Sequence, residues 1–348
     1  MMEYNFNVDD IIRFKINDKQ NIFKSYFKNG LIKEYENYKV NNVVNPDFVI
    51  NIQNFQPNVA FILDSKYYLN NGYLSTNDEY KLAKWSIEIK KTDQEFVINI
   101  NPNLFGRFFI SGFFVDPILH YVLTMRGYSV IHSAGVSNNG EAFLFSGRGG
   151  SGKTTLSINL MNYNTNYNYL GDDFSIIKEG FAYPFITPLN LFTYNIDKKT
   201  YKRLSYKNKL NLLFSQLIYF GTLKYAKFFI KMNLKDYFNK RITQKSKIKK
   251  LFLLYQTNKE YIDVVEESKK NAIKILTYNQ MLDSEFIPKY LLQYGFFDPN
   301  SDLNNFWSNY KNNLRLNLTS NIKFYKISVP RYHDKNTLLK IIGSMIYE

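Results

Sequence analysis

Apolar and polar residues alternate along much of the first hundred residues, and this period of two is typical of β-strands with one buried face. The clearest runs lie at 46–52, 59–63, 86–90 and 94–100. Asn and Gly residues between the runs, as at 70–72, supply turns. No pattern in this stretch carries chemistry. We therefore expect residues 1–103 to form a β-rich accessory region that serves as a docking surface.

Strands alternate with helices beyond residue 103. Asp116 and Pro117 suit the start of a helix, apolar residues recur at helical spacing after them, and Gly127 is a natural stop. Residues 128–146 then predict a hairpin with a tight Asn-Asn-Gly turn. Further strands and a final helix are predicted at 174–177, 251–255, 324–329 and 336–345. The alternation predicts an α/β domain over residues 104–348.

A glycine-rich loop directly follows the hairpin. Its sequence, Gly-Arg-Gly-Gly-Ser-Gly-Lys-Thr-Thr, fits the Walker A pattern, with an apolar strand before it and a helical pattern after it. Glycines let backbone N–H groups curl around phosphate oxygens, and the following helix points the positive end of its dipole at the anion. The pattern predicts binding of ATP with Mg²⁺. The expected nucleotide-binding residues are Gly147, Gly149, Gly150, Ser151, Gly152, Lys153, Thr154 and Thr155.

Four side chains give this region its chemistry. Lys153 places a positive charge on the β- and γ-phosphates, and the Thr154 hydroxyl is a ligand for Mg²⁺. Asp172 and Asp173 stand beside a short strand, and Asp172 comes 19 residues after Lys153. Mg·ATP needs a carboxylate near the threonine hydroxyl, and phosphoryl transfer needs a group that takes the proton of the acceptor. Two adjacent carboxylates can divide these tasks, and a solvated turn is the structural alternative.

Positive charge is concentrated in one segment of the chain. The whole sequence has 45 Lys and Arg against 30 Asp and Glu, but residues 197–250 alone hold 16 against 2, a net charge of +14. Helical patches are predicted in this basic segment at 210–220 and 226–237. The segment attracts anions such as an acidic peptide, a nucleic acid or a membrane surface, and a solvated lysine-rich face is the alternative. We do not expect nucleic acid, because arginine is scarce and no binding motif is present.

Composition excludes several other classes of protein. The absence of Cys excludes a disulfide scaffold, and three His without Cys argue against a zinc site. The most apolar stretch, 104–125, is interrupted by charged residues, so we expect no membrane span. The first ten residues lack the basic and apolar regions of a secretory signal. We therefore expect a cytoplasmic protein.

The motif region resembles a known family. The run from Ser146 to Ser157, followed by Leu-Gly-Asp-Asp at 170–173, resembles the catalytic domain of HPr kinase/phosphorylase and the related core of phosphoenolpyruvate carboxykinase. The hairpin that bears Ile-His-Ser-Ala-Gly at 131–135 is similar to the His-containing strand of that family. The resemblance covers about residues 128–188 and leaves out the N-terminal third. It implies an α/β mixed-sheet P-loop core of the HPr kinase type.

The resemblance also implies roles for individual residues. Lys153 and Thr154 would bind phosphate and Mg²⁺, and one Asp would be the catalytic base while the other supports the metal. We assign Thr154 and Asp173 to the metal, although which Asp is the base stays open. His132 would lie near the transferred phosphate, or it is an ordinary core histidine. The expected catalytic residues are Asp172, Asp173, His132 and Lys153.

The chain also departs from the family. The His-Leu-Arg-Gly-type loop used for HPr recognition is missing, so we do not expect HPr as the acceptor. What remains looks like divergent members found with peptide-modification genes, some of which phosphorylate a serine of a precursor peptide. The predicted function is an ATP-dependent kinase that acts on a Ser or Thr of a peptide or protein, with a ribosomal peptide precursor as one candidate. The basic segment would hold an acidic stretch of this acceptor.

Two other functions stay open at this stage. One is a small-molecule kinase, and the other is a nucleotide-binding scaffold of a biosynthetic complex that has lost its chemistry. The sequence also leaves open the identity of the acceptor, the choice between ATP and GTP, and whether the chain forms a homo-oligomer.

Overall fold

The protein is an α/β structure made of two compact units, each built around a mixed sheet. The computed structural model describes residues 2–22, 30–57, 61–63, 67–70, 72–91, 96–191, 201–202, 204, 206–221, 230–232, 242–283, 286–331 and 335–347. The first unit comprises Met1–Val130 with Ile273–Asn317, and the second comprises Ile131–Ala272 with Leu318–Glu348. Within these ranges, no helix is long and apolar enough to cross a membrane.

The strands and helices are numbered along the chain. The strands of the first sheet are β1 Met2–Val8, β2 Ile12–Asp18, β3 Lys39–Val40, β4 Phe48–Ile52, β5 Phe61–Leu63, β6 Tyr67–Asn70, β7 Tyr73–Tyr80, β8 Ala83–Lys91 and β9 Phe96–Pro102. The later strands are β10 Ser129–Asn138, β11 Glu141–Gly147, β12 Asn168–Gly171, β13 Phe174–Lys178, β14 Phe181–Tyr183, β15 Leu189–Leu191, β16 Ile230–Met232, β17 Ser246–Thr257, β18 Asp263–Glu267 and β19 Lys323–Pro330. The α-helices are α1 Gly30–Glu34, α2 Asp116–Met125, α3 Lys153–Tyr163, α4 Tyr206–Gly221, α5 Lys269–Asp283, α6 Phe286–Phe297, α7 Phe306–Asn317 and α8 Lys335–Tyr347.

The first unit carries a nine-stranded sheet in the order β3-β1-β2-β4-β9-β8-β7-β6-β5. Strand β4 runs parallel to both β2 and β9, and the other neighbours are antiparallel. Alternate residues are buried, as along β2, so that one face of the sheet is apolar. Phe14 stacks between Phe6 and Phe48 at ring distances of 4.8 and 4.9 Å. The predicted β-rich character of this stretch is confirmed, although residues 58–60, 71 and 92–95 lie outside the described residues.

Several helices of the predicted second domain pack with the first sheet instead. The Trp85 indole N–H donates to the Tyr290 hydroxyl of α6 at 3.0 Å, and its ring meets Phe114 edge-on at 5.4 Å. Helix α2 packs against α7 in the same unit. The packing boundary therefore falls after Val130 and again around residues 273–317, whereas the sequence places it after residue 103. The chain pattern does not reveal which sheet a helix will cover, and α5, α6 and α7 were not predicted at all.

The second unit carries an eight-stranded sheet, and the glycine-rich loop begins at the end of its strand β11. Its order is β11-β10-β13-β14-β17-β19-β18, with β12 also paired to β10 and β17 also paired to β11. Strands β11, β17 and β19 are parallel neighbours, and β10 is antiparallel to β11. Helices α3 and α8 cover one face, where Phe145, Phe252 and Ile327 are buried against Leu156 and Ile342. This packing holds the carboxyl end of β11 next to the start of α3.

The basic segment is only partly helical. Helix α4 contains the predicted patch at 210–220. The predicted patch at 226–237 is wrong over its described part, because Ile230–Met232 forms strand β16 and pairs with β15. The last lysines of the segment, up to Lys250, lie in strand β17. Residues 192–200, 203, 205, 222–229 and 233–241 of the region lie outside the described residues.

His120 is buried in the first unit as a neutral side chain. Its Nε2 donates to the Val130 carbonyl at 3.2 Å, and its Nδ1 accepts from the Gln280 amide at 3.0 Å. The rings of Phe306 and Tyr310 meet it edge-on. Burial lowers the pKa of His120 from 6.5 to about 4, because the charged form would lose its hydration.

We expect this histidine to make folding stability pH-dependent. Between pH 6.5 and about 4 the His120 side chain is protonated in the unfolded chain but not in the folded chain. The free energy of unfolding therefore falls as the pH falls through this window. The loss approaches roughly 3 kcal/mol below the folded pKa, at about 1.4 kcal/mol per pKa unit. Denaturant unfolding of wild type and His120→Gln between pH 7.5 and 4 measures it. The glutamine variant keeps a donor but has no proton to gain, so equal pH slopes for both proteins would contradict the prediction.

Candidate functional site

The glycine-rich loop connects the carboxyl end of β11 to the amino end of α3. Gly147 is required by close packing, since a Cβ there would lie 2.5 Å from the Leu254 carbonyl oxygen of the parallel strand β17. Gly150 and Gly152 have φ angles of +83° and +93°, a left-handed conformation that favours glycine. A Cβ on Gly149, Gly150 or Gly152 would meet nothing within 4 Å. This side of the loop therefore has the room that a phosphate group needs.

Hydrogen bonds within the second unit hold the loop in shape. The Ser151 N–H donates to the Arg148 carbonyl at 3.1 Å, and the Lys153 ammonium donates to the carbonyls of Gly147 and Arg148 at 2.6 and 3.2 Å. Lys153 is buried, so these carbonyls stabilise its charge. The Gln256 amide donates to the Gly150 carbonyl at 2.7 Å and thereby connects the loop to the end of β17.

The loop has donors that suit an anion. Helix α3 starts at Lys153 after Gly152, which has no side chain to cap the first turn. The first N–H groups of a helix have no intrahelical partner and carry the positive end of its dipole. The Ser151 hydroxyl oxygen is buried and has no hydrogen-bond partner among the described residues. A phosphate group in the cradle would satisfy such donors, so the residues present fit a nucleotide phosphate.

Thr154 and Asp172 are in direct contact. The Thr154 hydroxyl lies 2.8 and 2.9 Å from the two carboxylate oxygens of Asp172, to which it donates. Burial, and next the nearby charge of Asp173, raise the pKa of Asp172 to about 7, while the Thr154 hydrogen bond and the Lys153 charge act in the opposite direction. The sequence assignment paired Asp173 with Thr154 at the metal, whereas the structure brings Asp172 to that hydroxyl.

The acid pair sits in a break between two short strands. Strands β12 and β13 lie one after the other along the same side of β10, and Asp172 and Asp173 connect them. Gly171 pairs with Gly135 of β10, and a Cβ on Gly171 would lie 2.6 Å from the Phe185 carbonyl oxygen. Asp173 adopts a φ of +70°, which is rare for a residue with a side chain. Both carboxylates therefore lie outside the regular strands, and the two residues have different backbone conformations.

His132 lies at the same end of the β10–β11 hairpin as the loop. The next residue, Ser133, pairs with Ser146, and the Ser146 hydroxyl donates to the His132 carbonyl at 2.8 Å. The imidazole ring is 6.3 Å from the ring of Phe174, the residue that follows Asp173. The half-buried His132 is therefore close to both parts of the site. His120, by comparison, is only 4% exposed.

Sequence reasoning missed Gln256. The pattern at 251–255 predicted only a buried strand, whereas β17 runs parallel to β11 and aligns Leu254 with Gly147. Residues just after that point lie beside the loop, because parallel strands end at the same edge of a sheet. The available signal was a polar residue directly after an apolar strand. Thr155, in contrast, was predicted and lies half-buried in the first turn of α3.

The described residues offer few protein ligands for a metal ion at this site. Among the described residues, no group of three or more His, Cys, Asp or Glu side chains is arranged to hold a metal ion. A hydroxyl and a carboxylate such as those of Thr154 and Asp172 suit Mg²⁺, which is usually held by one or two protein oxygens together with substrate phosphates and water. They do not suit zinc, which prefers nitrogen and sulfur ligands.

No protein-family model matches the chain, and no curated protein matches it. The function must therefore be argued from the site itself.

We expect Gly171→Ala to destabilise the second unit. The added Cβ would clash with the Phe185 carbonyl oxygen at 2.6 Å, and the φ of +153° lies in a region that favours glycine. The expected cost is about 1–3 kcal/mol, measured by denaturant unfolding. Gly149→Ala is the matched control, because its Cβ would have nothing within 4 Å. Equal stabilities of the two variants would contradict the assigned close contact.

Proposed function

We propose that this protein is an ATP-dependent kinase that transfers the γ-phosphate to a Ser or Thr hydroxyl of a peptide or protein. The hydrogen bond from Thr154 to Asp172 is the observation that carries the proposal. It joins the helix after the glycine-rich loop to an acidic pair 18 residues later, as an Mg·ATP site requires. The HPr kinase type of P-loop core is part of the same proposal, on the residues from Ser146 to Asp173.

Each residue of the site has a role in this proposal. The cradle from Gly147 to Gly152 and the first turn of α3 hold the phosphates, and Lys153 exchanges its loop carbonyls for β- and γ-phosphate oxygens. Thr154 and Asp172 hold Mg²⁺, which when bound neutralises charge on the phosphates. The geometry favours Asp172 over Asp173 for this task, because only Asp172 is bonded to the Thr154 hydroxyl.

Asp173 is then left as the general base. Its carboxylate accepts the proton of the acceptor hydroxyl, the hydroxyl oxygen forms a bond to the γ-phosphorus, and the bond between that phosphorus and the leaving oxygen of ADP breaks. Asp173 is less buried than Asp172 and follows it in the break between β12 and β13, so it can meet an incoming acceptor. His132, whose ring lies 6.3 Å from that of Phe174, would contact the transferred phosphate.

The described lysines at the end of the basic segment lie far from the glycine-rich loop. Lys247 pairs with Glu141 at the start of β11, whereas the loop begins opposite Leu254. Seven strand residues separate these points, roughly 23 Å at 3.3 Å per residue. Lys249 forms an ion pair with Glu141 at 2.8 Å, and Lys250 is buried with its ammonium on the Met345 carbonyl. An acidic acceptor would therefore reach these lysines only with a part remote from the phosphorylated hydroxyl.

Two measurements test the proposal. Titration calorimetry with ATP and GTP, each with and without Mg²⁺, tests the nucleotide site. Incubation with γ-labelled ATP and serine-containing peptides, including any precursor peptide encoded beside the gene, tests the transfer. Metal-dependent ATP binding with labelled peptide is the expected result. Labelling of small hydroxyl compounds alone would favour a small-molecule kinase, and binding without any turnover would favour a scaffold.

We expect Lys153→Ala to abolish phosphoryl transfer without unfolding the protein. The substitution removes the charge that would stabilise the transferred phosphate, and the Gly147 and Arg148 carbonyls that lose its hydrogen bonds are uncharged. Turnover and thermal melting are measured together. Lys323→Ala, at an exposed position of β19, is the matched control and should keep full activity. Wild-type turnover in a folded Lys153→Ala protein would contradict the nucleotide site.

We expect Asp172→Asn and Asp173→Asn to fail in different ways. Asp172→Asn should raise the Mg²⁺ concentration needed for activity and weaken nucleotide binding, because the carboxylate next to Thr154 is lost. Asp173→Asn should lower kcat by about 10²–10⁴ with nucleotide binding nearly intact, since that is the usual contribution of a general base. Metal titrations of kcat and calorimetric ATP binding separate the two effects. The reverse pattern would assign the metal to Asp173 and the general base to Asp172. Full activity in both variants would mean that neither carboxylate takes part in the reaction.

A further inference from the structure

Helix α4 presents an apolar stripe to solvent. Six large side chains share one face at spacings of three or four residues: Tyr206, Leu210, Leu213, Phe214, Leu217 and Phe220. Each is between 50% and 78% exposed. We call this set the α4 ridge. Soluble monomers normally bury such a face, so its exposure marks it as a candidate interaction surface.

The helix is anchored to the second unit on its other side. Leu212 is 4% exposed and belongs, with Leu204, to the apolar core of that unit. Lys209 is half-buried beside the stripe, where its ammonium donates to the Lys202 carbonyl at 3.3 Å and lies 5.5 Å from the ring of Tyr201. The ridge is therefore the outward face of a fixed helix.

The ridge is large enough to bind a surface. A helix of 16 residues is about 24 Å long. Side chains of this size present roughly 150–250 Å² each when fully exposed, so the six together offer on the order of 600 Å² of apolar area. That is the upper end of what a typical monomer exposes, about 300–600 Å².

Charge indicates what covers the ridge. Helix α4 lies inside the basic segment with a net charge of +14, and the helix itself contains no Asp or Glu. A second copy of the chain would bring the same positive charge against it, which is unfavourable. The partner must therefore be apolar and negatively charged. Nucleic acid meets only the second condition.

Shape then separates a membrane from an acidic peptide. A helical peptide that docks through apolar side chains lies in a groove with walls on both sides. All six ridge side chains are at least half exposed, so among the residues that the structure describes they form a row without such walls. An exposed row of Leu, Phe and Tyr in a lysine-rich segment suits the interface of a lipid bilayer, where apolar groups insert and lysines meet anionic headgroups.

We propose that the α4 ridge docks this protein on the surface of an anionic membrane. Insertion of the ridge supplies the apolar contribution, and the positive charge of the basic segment, apart from Lys249 and Lys250, attracts the headgroups. This role is independent of the nucleotide site, and it requires no helix that spans the bilayer.

Vesicle flotation without nucleotide tests the proposal. The probes are vesicles of phosphatidylcholine alone and of an equimolar mixture of phosphatidylcholine and phosphatidylglycerol. We expect the wild-type protein to bind the mixed vesicles at least about tenfold more strongly, and less strongly as salt is added, because headgroup attraction is screened. Failure to bind the mixed vesicles would overturn the proposal.

Two matched variants separate insertion from charge. Leu213→Gln with Leu217→Gln and Phe220→Gln removes half of the ridge without changing charge, and should weaken binding to the mixed vesicles about tenfold or more. Leu282→Gln with Leu292→Gln and Phe296→Gln makes the same chemical change at exposed positions of the first unit, and should bind as wild type. Circular dichroism confirms that both are folded. Equal binding by wild type and the ridge variant would overturn insertion.

Two further measurements identify the other possible partners. Phe214→Trp should show a blue-shifted emission with mixed vesicles after subtraction of the wild-type spectrum, because the indole enters an apolar layer. An unshifted emission would overturn insertion.

Sedimentation velocity compares wild type with the ridge variant, and polyglutamate is tested as a soluble acidic competitor. A wild-type dimer that the variant loses, or ridge-dependent binding of polyglutamate without vesicle binding, would overturn the membrane in favour of a second copy or an acidic peptide.

Discussion

The pairing of β10 determines where the candidate site forms. This strand pairs with β11 on one side and with β12 and β13 on the other. Ser133 is opposite Ser146 on the first side, and Gly135 is opposite Gly171 on the second. The glycine-rich loop and the acid pair, which are separated along the chain, therefore lie at the same end of one strand. A slip of one residue in either pairing would turn the side chains to the opposite face.

Buried charge sets the chemistry of this site. Lys153 and Asp172 are both buried, and an isolated charge at such a position would be costly. The loop carbonyls stabilise the ammonium, and the Thr154 hydroxyl stabilises the carboxylate. Burial still raises the pKa of Asp172, because it outweighs the Lys153 charge. A cation beside the carboxylate and an anion beside the ammonium would stabilise these charges, and the proposed Mg·ATP would supply both.

The positive charge of the chain serves more than one purpose. Lys250 is a core residue whose ammonium lies on the Met345 carbonyl and 5.9 Å from the ring of Tyr325, and Lys249 is paired with Glu141. Neither is available to an outside partner as a free charge. Helix α4 lies in the same basic segment but carries an exposed apolar face. Net charge read from composition therefore overstates the charge offered to a ligand and does not reveal the apolar ridge.

The sequence by itself determined the elements that depend on local patterning. The Walker A residues predicted the strand, the loop and helix α3, and the Asn-Asn-Gly turn predicted the β10–β11 hairpin, because turn and capping preferences act over a few residues. Tertiary structure decided the contacts between distant segments. The bonding of Asp172 rather than Asp173 to Thr154 follows from the break between β12 and β13. The contact of Gln256 with Gly150 follows from the parallel register of β17, and the assignment of α5, α6 and α7 to the first unit follows from packing. Such contacts depend on strand register and on side-chain packing between residues that are far apart in the sequence. The local pattern of apolar and polar residues does not determine either of them.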